Sequence, residues 1–236
     1  MLKSSDSFFL YPCIESGGER LKIIDLHNHT KYSYDGQNTA REIIENALSN
    51  RVDVIAVTDH QFSIGDKIGE YIKEINALKE EFKDKITVLC GLEIGTRPKP
   101  GDFPPQISGM LDFCLFESLD SKKGMDIYEF LEWKRLFLCP LGLAHTDIFA
   151  LSERYKTDML KLLKREKIFW EINFSGNYDY YFDFITNKEK QRAVSESKIM
   201  LSIGSDTHWK GDFDRNRLVQ TNELVRRLEN PIVFGQ

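Results

Sequence analysis

Cysteine is scarce in this chain: Cys13, Cys90, Cys114 and Cys139 are the only four in 236 residues, and none forms a C-x-x-C pair. That spacing excludes a disulfide framework and a thiolate-held zinc. Cys90 and Cys114 lie inside apolar runs, as free thiols in a core do. Long apolar runs are also missing. Near the start, Phe8-Phe9-Leu10-Tyr11 falls far short of the ~20 residues a membrane span needs and of a secretory leader's apolar core. The expectation is a cytoplasmic protein with no membrane partner. No charge of one sign dominates. Lysine plus arginine number 32 against 37 acidic residues, a net charge of −5, which argues against coating long nucleic acid but not against acting on a short strand. Repeats and low-complexity tracts are absent too, which removes collagen-like, coiled-coil and disordered classes. A chain of this length fits one barrel-sized domain of ~200–250 residues and needs no covalent staple.

What is present is an alternation. Seven short apolar runs read as strands: 22–27, 52–57, 86–92, 111–116, 141–145, 168–173 and 199–205. Near-continuous apolar runs suit parallel strands buried on both faces. Helical patterns lie between them, near 39–49, 66–83, 125–136, 152–165, 186–197 and 215–229. Two carry capping-box spacing, Thr39 with Glu42 and Thr186 with Glu189. Seven strand–helix repeats favour an α/β barrel over a doubly wound sheet. Residues 1–20 read as an N-terminal extension to a single domain. Two connections are unusual and are candidate rims of a site. Residues 97–108 hold Pro98, Pro100, Pro104 and Pro105, and residues 174–184 crowd six aromatics that either pack the barrel rim or form a binding wall.

The five histidines, His27, His29, His60, His145 and His208, all fall at or just past the C-terminal end of an expected strand. One such histidine is unremarkable. Five of five mark the face on which parallel barrels build sites. His27 and His29 form an H-x-H pair whose side chains share a face in extended chain. Carboxylates accompany them: Asp35 in a turn, Asp59 before His60, Glu93 and Glu117 at the third and fourth strand ends, Asp147 after His145, and Asp206 before His208. Imidazoles and carboxylates together suit zinc, manganese or iron, and they outnumber what one tetrahedral ion uses. Two or three divalent ions are therefore expected.

The order H-x-H, T-D-H, G-L-E, A-H, G-S-D-T-H, from about Ile24 to His208, resembles the PHP family, named for polymerase and histidinol phosphatase. The resemblance implies a distorted seven-stranded (β/α) TIM-like barrel, a di- or trinuclear metal site and hydrolysis of phosphoesters. It implies that His27, His29, Glu93 and Asp206 share one metal, that Glu93 bridges to a second also held by His145, and that Asp35, His60 and His208 hold a third. Family members often have histidine where this chain has Asp35. Many also place a histidine just beyond the fourth strand, whereas this chain has none between His60 and His145. Glu117 is the expected substitute, with Asp120 the other candidate.

The expected function is hydrolysis of a small phosphomonoester or short nucleotide by a water activated between metals. No obligate protein partner is implied. Arg97 and Lys210 are candidate phosphate-binding cations by position. Asp59 and Asp147 are placed to orient a ligand imidazole or to cap the following segment. Two alternatives compete: an amidohydrolase, which also uses H-x-H on a barrel, and a non-catalytic metal-binding scaffold.

Overall fold

The computed structural model describes residues 20–96 and 103–235. The expected extension at residues 1–20 falls outside it except for its last residue, as do Cys13, Arg97, Pro98 and Pro100. The strands are β1 (Ile24–Asp25), β2 (Val54–Val57), β3 (Thr87–Gly95), β4 (Phe113–Glu117), β5 (Leu141–Ala144), β6 (Phe169–Asn173) and β7 (Leu201–Gly204). All pair in parallel, in sequence order. The seam between first and last strand is bridged at the C-terminal end. Leu26 N donates to Ile203 O at 2.7 Å, Asp206 N to His27 O at 2.9 Å and His29 N to Thr207 O at 2.8 Å. The result is the nearly closed, seven-stranded barrel-like sheet that the alternation predicts.

Nine α-helices are found among the described residues: α1 (Ala40–Ser49), α2 (Gln61–Ile64), α3 (Ile68–Phe82), α4 (Ile127–Lys134), α5 (Ile148–Tyr155), α6 (Met159–Glu166), α7 (Asp179–Thr186), α8 (Lys188–Ser197) and α9 (Arg215–Leu228). Most of the core lies between these helices and the strands. A second, smaller cluster holds no helical residue: Ile24, Leu26, Val54, Ala56, Leu89, Phe113, Leu115, Ala144, Phe169 and Val233. This is the inside of the barrel. Its base is covered by the C-terminal segment, where Leu201 N donates to Pro231 O, Val233 N donates to Leu201 O, and Phe234 packs on Phe113.

Because strand side chains alternate, residues two apart face the same way. Leu89 and Glu93 share the inward face of β3, Phe113, Leu115 and Glu117 that of β4, and Phe169 and Glu171 that of β6. Each inward row thus runs from apolar at the base to acidic at the top, which places the polar site at the strands' C-terminal ends.

Three helical expectations need correction. The pattern at 152–165 is two helices: Lys156 adopts a left-handed conformation (φ 50°) that ends α5, and Asp158 caps α6. The aromatic stretch 174–184 is not all loop, since α7 occupies most of its second half. The Thr186–Glu189 capping box does not form. Thr186 ends α7, its hydroxyl donating to the Phe182 and Asp183 carbonyls, and Asn187 caps α8 by accepting from Glu189 N and Lys190 N. The Thr39–Glu42 box does form, in both directions. Asn187→Ala is expected to cost about 1 kcal/mol in guanidinium unfolding. Thr186→Ala should stay within about 0.5 kcal/mol. The reverse order would restore Thr186 as the cap.

Candidate metal centre

Eight side chains converge above the inner apolar cluster, in three overlapping groups whose candidate ligand atoms lie within 4.8 Å of one another. The first is His27, His29 and Asp206, the second His27, Glu93 and His145, and the third His29, Asp35, His60 and His208. They come from the ends of β1, β2, β3, β5 and β7 and from the turn after β1. Glu93, fully buried, stands at the centre. Its Oε1 lies 3.1 Å from His145 Nε2 and 3.4 Å from His27 Nε2, and its Oε2 lies 2.9 Å from His60 Nδ1 and 3.5 Å from His29 Nε2. Neither oxygen accepts a hydrogen bond of proper alignment, and His60 Nδ1, His145 Nδ1 and Asp35 Oδ1 are likewise buried without one. Buried polar atoms almost always have partners. Lone pairs that converge without being aimed at each other's protons fit divalent cations.

The electrostatics agree with that fit. Burial alone would raise the Glu93 pKa, yet the neighbouring His27, His145 and His60 hold it well below the usual carboxylate range. Burial would lower that of His27, but the charges of Glu171 and Glu93 push it well above the ordinary imidazole value. His29, where burial outweighs Asp206 and Glu93, is lowered. Positive charge is favoured at His27 and disfavoured at His29.

The backbone is strained where these groups emerge. His145 (φ 48°), Asp206 (φ 57°) and Ser118 (φ 55°) occupy left-handed conformations just past the ends of β5, β7 and β4. Such conformations cost about 1–3 kcal/mol each and persist where the surroundings impose them. Asp206 is fixed by its N–H on His27 O, and Ser118 by its N–H on Ala144 O.

Surrounding groups set the imidazole orientations. Glu171, which sequence reasoning did not single out, is fully buried on β6 and accepts from His27 Nδ1 at 2.7 Å. That hydrogen bond turns His27 Nε2 toward the cluster. Asn173 Nδ2 donates to the other Glu171 oxygen at 3.1 Å. The available signal was a lone acid within the apolar run IFWEIN. Asp59 acts one step removed: it accepts from Ser33 Oγ at 2.7 Å, and Ser33 Oγ meets His29 Nδ1 at 3.1 Å. It also holds the turn after β1 through Thr30 N and Ser33 N. Asp147 does not reach an imidazole. Its carboxylate accepts from Phe149 N and Ala150 N and caps α5.

The remaining expected residues are placed as follows. Glu117 belongs to none of the three groups, although it lies close enough to feel Glu93, His60 and His145; burial and the Glu93 charge raise its pKa. Asp120 stands apart as well, its carbonyl accepting from Arg154. Lys210 points its ammonium to Glu42, 3.1 Å away at the start of α1. The aromatic stretch divides its roles: Phe174 and Phe184 are buried in the core, whereas Tyr178 stacks on His145 with ring centroids 4.1 Å apart.

The chain is thus a seven-stranded parallel barrel-like sheet with imidazoles and carboxylates gathered at its C-terminal ends. The PHP domain model matches residues 25–229, and the chain belongs to that family. It is 31% identical over 193 residues to the histidinol-phosphatase of Lactococcus lactis subsp. lactis, an alignment covering 77% of this chain and 65% of that protein. The chain thus spans just under two-thirds of that relative's length. It is 28% identical over 232 residues to the probable histidinol-phosphatase of Deinococcus radiodurans, covering 80% of this chain and 88% of the other. In fold it is similar to the crystal structure of histidinol phosphate phosphatase from L. lactis complexed with zinc, L-histidinol and phosphate. The TM-score is 0.62 at 19% identity, over 91% of this chain and 96% of that one.

Space at the site is tight. A Cβ at Gly204 would lie 2.2 Å from Glu171 Oε1 and 2.6 Å from His27 Cβ. Gly204→Ala is therefore expected to push Glu171 off His27 and to cost about 1–3 kcal/mol, read as a lower melting temperature by calorimetry. An unchanged melting temperature would show that the Glu171–His27 contact is not as close as described.

Proposed function

We propose that this chain is a metal-dependent phosphomonoesterase, acting on histidinol phosphate or a closely similar small phosphomonoester. The observation that carries this reading is Glu93, whose two buried oxygens face four imidazoles without an aligned hydrogen bond to any of them. A carboxylate so placed suits a bridge between cations.

In this reading His27, His29, Glu93 and Asp206 would hold one ion, Glu93 and His145 a second, and Asp35, His60 and His208 a third. Zinc is the favoured ion, because the similar L. lactis enzyme was crystallised with zinc, L-histidinol and phosphate. Divalent ions bound here supply Lewis-acid neutralisation of the phosphoryl oxygens and a water of lowered pKa. The rest is the work of the chain. Glu171 fixes the His27 tautomer, Asp59 and Ser33 hold His29, and Tyr178 stacks on the His145 ring. The family match and the seven strands favour phosphoester hydrolysis over the amidohydrolase alternative. The gathering of eight candidate ligand side chains favours catalysis over a scaffold role. No helix among the described residues is long and apolar enough to cross a membrane.

Asp206→Asn tests the reading. Phosphate release from histidinol phosphate, with zinc or manganese supplied, should fall by at least about a hundredfold, with part of the bound metal lost and the circular dichroism spectrum retained. A mutant that turns over like wild type would remove Asp206 from the site and the reading with it.

A further inference from the structure

Two large aromatic side chains stand exposed at the mouth of the site, where burial does not explain them. Tyr34 is 75% and Phe62 57% exposed. Both rings lie nearly parallel to the His60 imidazole, Phe62 at 5.0 Å and Tyr34 at 5.6 Å between centroids, and they are 5.7 Å from each other. They arise from different segments, Tyr34 from the turn after β1 and Phe62 from α2 after β2, so no single helix or hairpin brings them together. Exposed apolar rings gathered at one edge of a polar site are characteristic of ligand contact.

A carboxylate faces the same space. Gly95, at the end of β3, has no side chain to fill the gap beside Phe62. A Cβ there would lie 3.3 Å from Glu117 Oε1 and 3.9 Å from Phe62 Cδ1. No described residue donates a hydrogen bond to the Glu117 carboxylate, and it lies outside the three ligand groups. Aromatic faces and an acid bordering one notch, adjacent to His60, favour a flat cation. The ring faces attract it through their quadrupoles and the carboxylate through its charge.

We infer that Tyr34, Phe62 and Glu117 form a specificity subsite that takes a flat, positively charged ring carried on the alcohol side of the phosphomonoester. This rests on the phosphatase reading above and assigns Glu117 to substrate instead of metal. An imidazolium has the required shape and charge; a glycerol moiety has neither, and a neutral base lacks the charge.

The test compares kcat/KM for histidinol phosphate and glycerol 3-phosphate at pH 6, where much of a free imidazole is protonated. Metal-loaded wild type, Phe62→Leu, Phe62→Tyr and Glu117→Gln are measured, alongside calorimetric binding of L-histidinol. The ratio of the two substrates should fall about tenfold in Phe62→Leu and in Glu117→Gln, chiefly through KM, and recover in Phe62→Tyr. L-histidinol should bind about tenfold more weakly to the first two. A wild-type ratio in both variants would overturn the subsite while leaving the phosphatase reading intact. A metal-holding Glu117 would lower both substrates together, and that result would also overturn it. If no phosphoester is hydrolysed but L-histidinol binding still depends on Phe62 and Glu117, the subsite stands and the phosphatase reading falls.

Discussion

The structure is organised around one buried carboxylate. Glu93 sits on the inward row of β3 four residues above Leu89, at the level where the barrel interior changes from apolar to polar. Burying an unpaired carboxylate costs several kcal/mol even after relaxation, so the surroundings must supply positive charge or the group must take up a proton. Four imidazoles within 3.5 Å of its oxygens supply the first solution. The same four imidazoles, with Asp35, Asp206 and His208, are also a donor set for divalent cations, which offset the charge of Glu93 more completely than protons do. The stability problem and the chemistry thus share one solution.

Much of the neighbouring structure follows from holding that arrangement in place. His27 must present Nε2 inward, which calls for an acceptor behind Nδ1, and Glu171 on β6, one strand beyond β7, provides it. That introduces a second buried acid, whose remaining oxygen is satisfied by Asn173 and whose bulk leaves room only for glycine at position 204. His29 is held through Ser33 by Asp59, the same carboxylate that ties down the turn leading to Asp35. The left-handed residues His145 and Asp206 are the local strain of aiming side chains from strand ends back over the barrel axis. At Asp206 that strain is offset by the hydrogen-bonded seam, where its N–H meets His27 O.

The histidines made the site legible because each is rare, chemically specific and fixed to a strand end by the alternation of apolar runs and helices. The seven strands were legible for a related reason: parallel strands buried on both faces leave runs such as VDVIAV that few other elements produce. Glu171 was hidden by the same rule, since one acid in IFWEIN does not disturb the strand pattern and only closure of β7 onto β1 brings it to His27. The break at Lys156 carried no glycine to mark it, and Asp147 followed a histidine as an acid that orients an imidazole would, yet its oxygen serves the α5 amides. Glu117 stood where a ligand was expected because inward periodicity places it at the strand end. Reach toward the cluster is a property of the loops that no spacing encodes. The role of Tyr34 and Phe62 likewise depends on the turn after β1 meeting α2 beside His60.

The central claim is that Glu93 bridges cations, and counting them tests it directly. Zinc content per chain, measured by elemental mass spectrometry after dialysis, is expected to be two or three in the wild-type protein and lower by at least about one in Glu93→Gln. A wild-type chain that retains one zinc or none, or a Glu93→Gln chain that retains the wild-type number, would contradict the account.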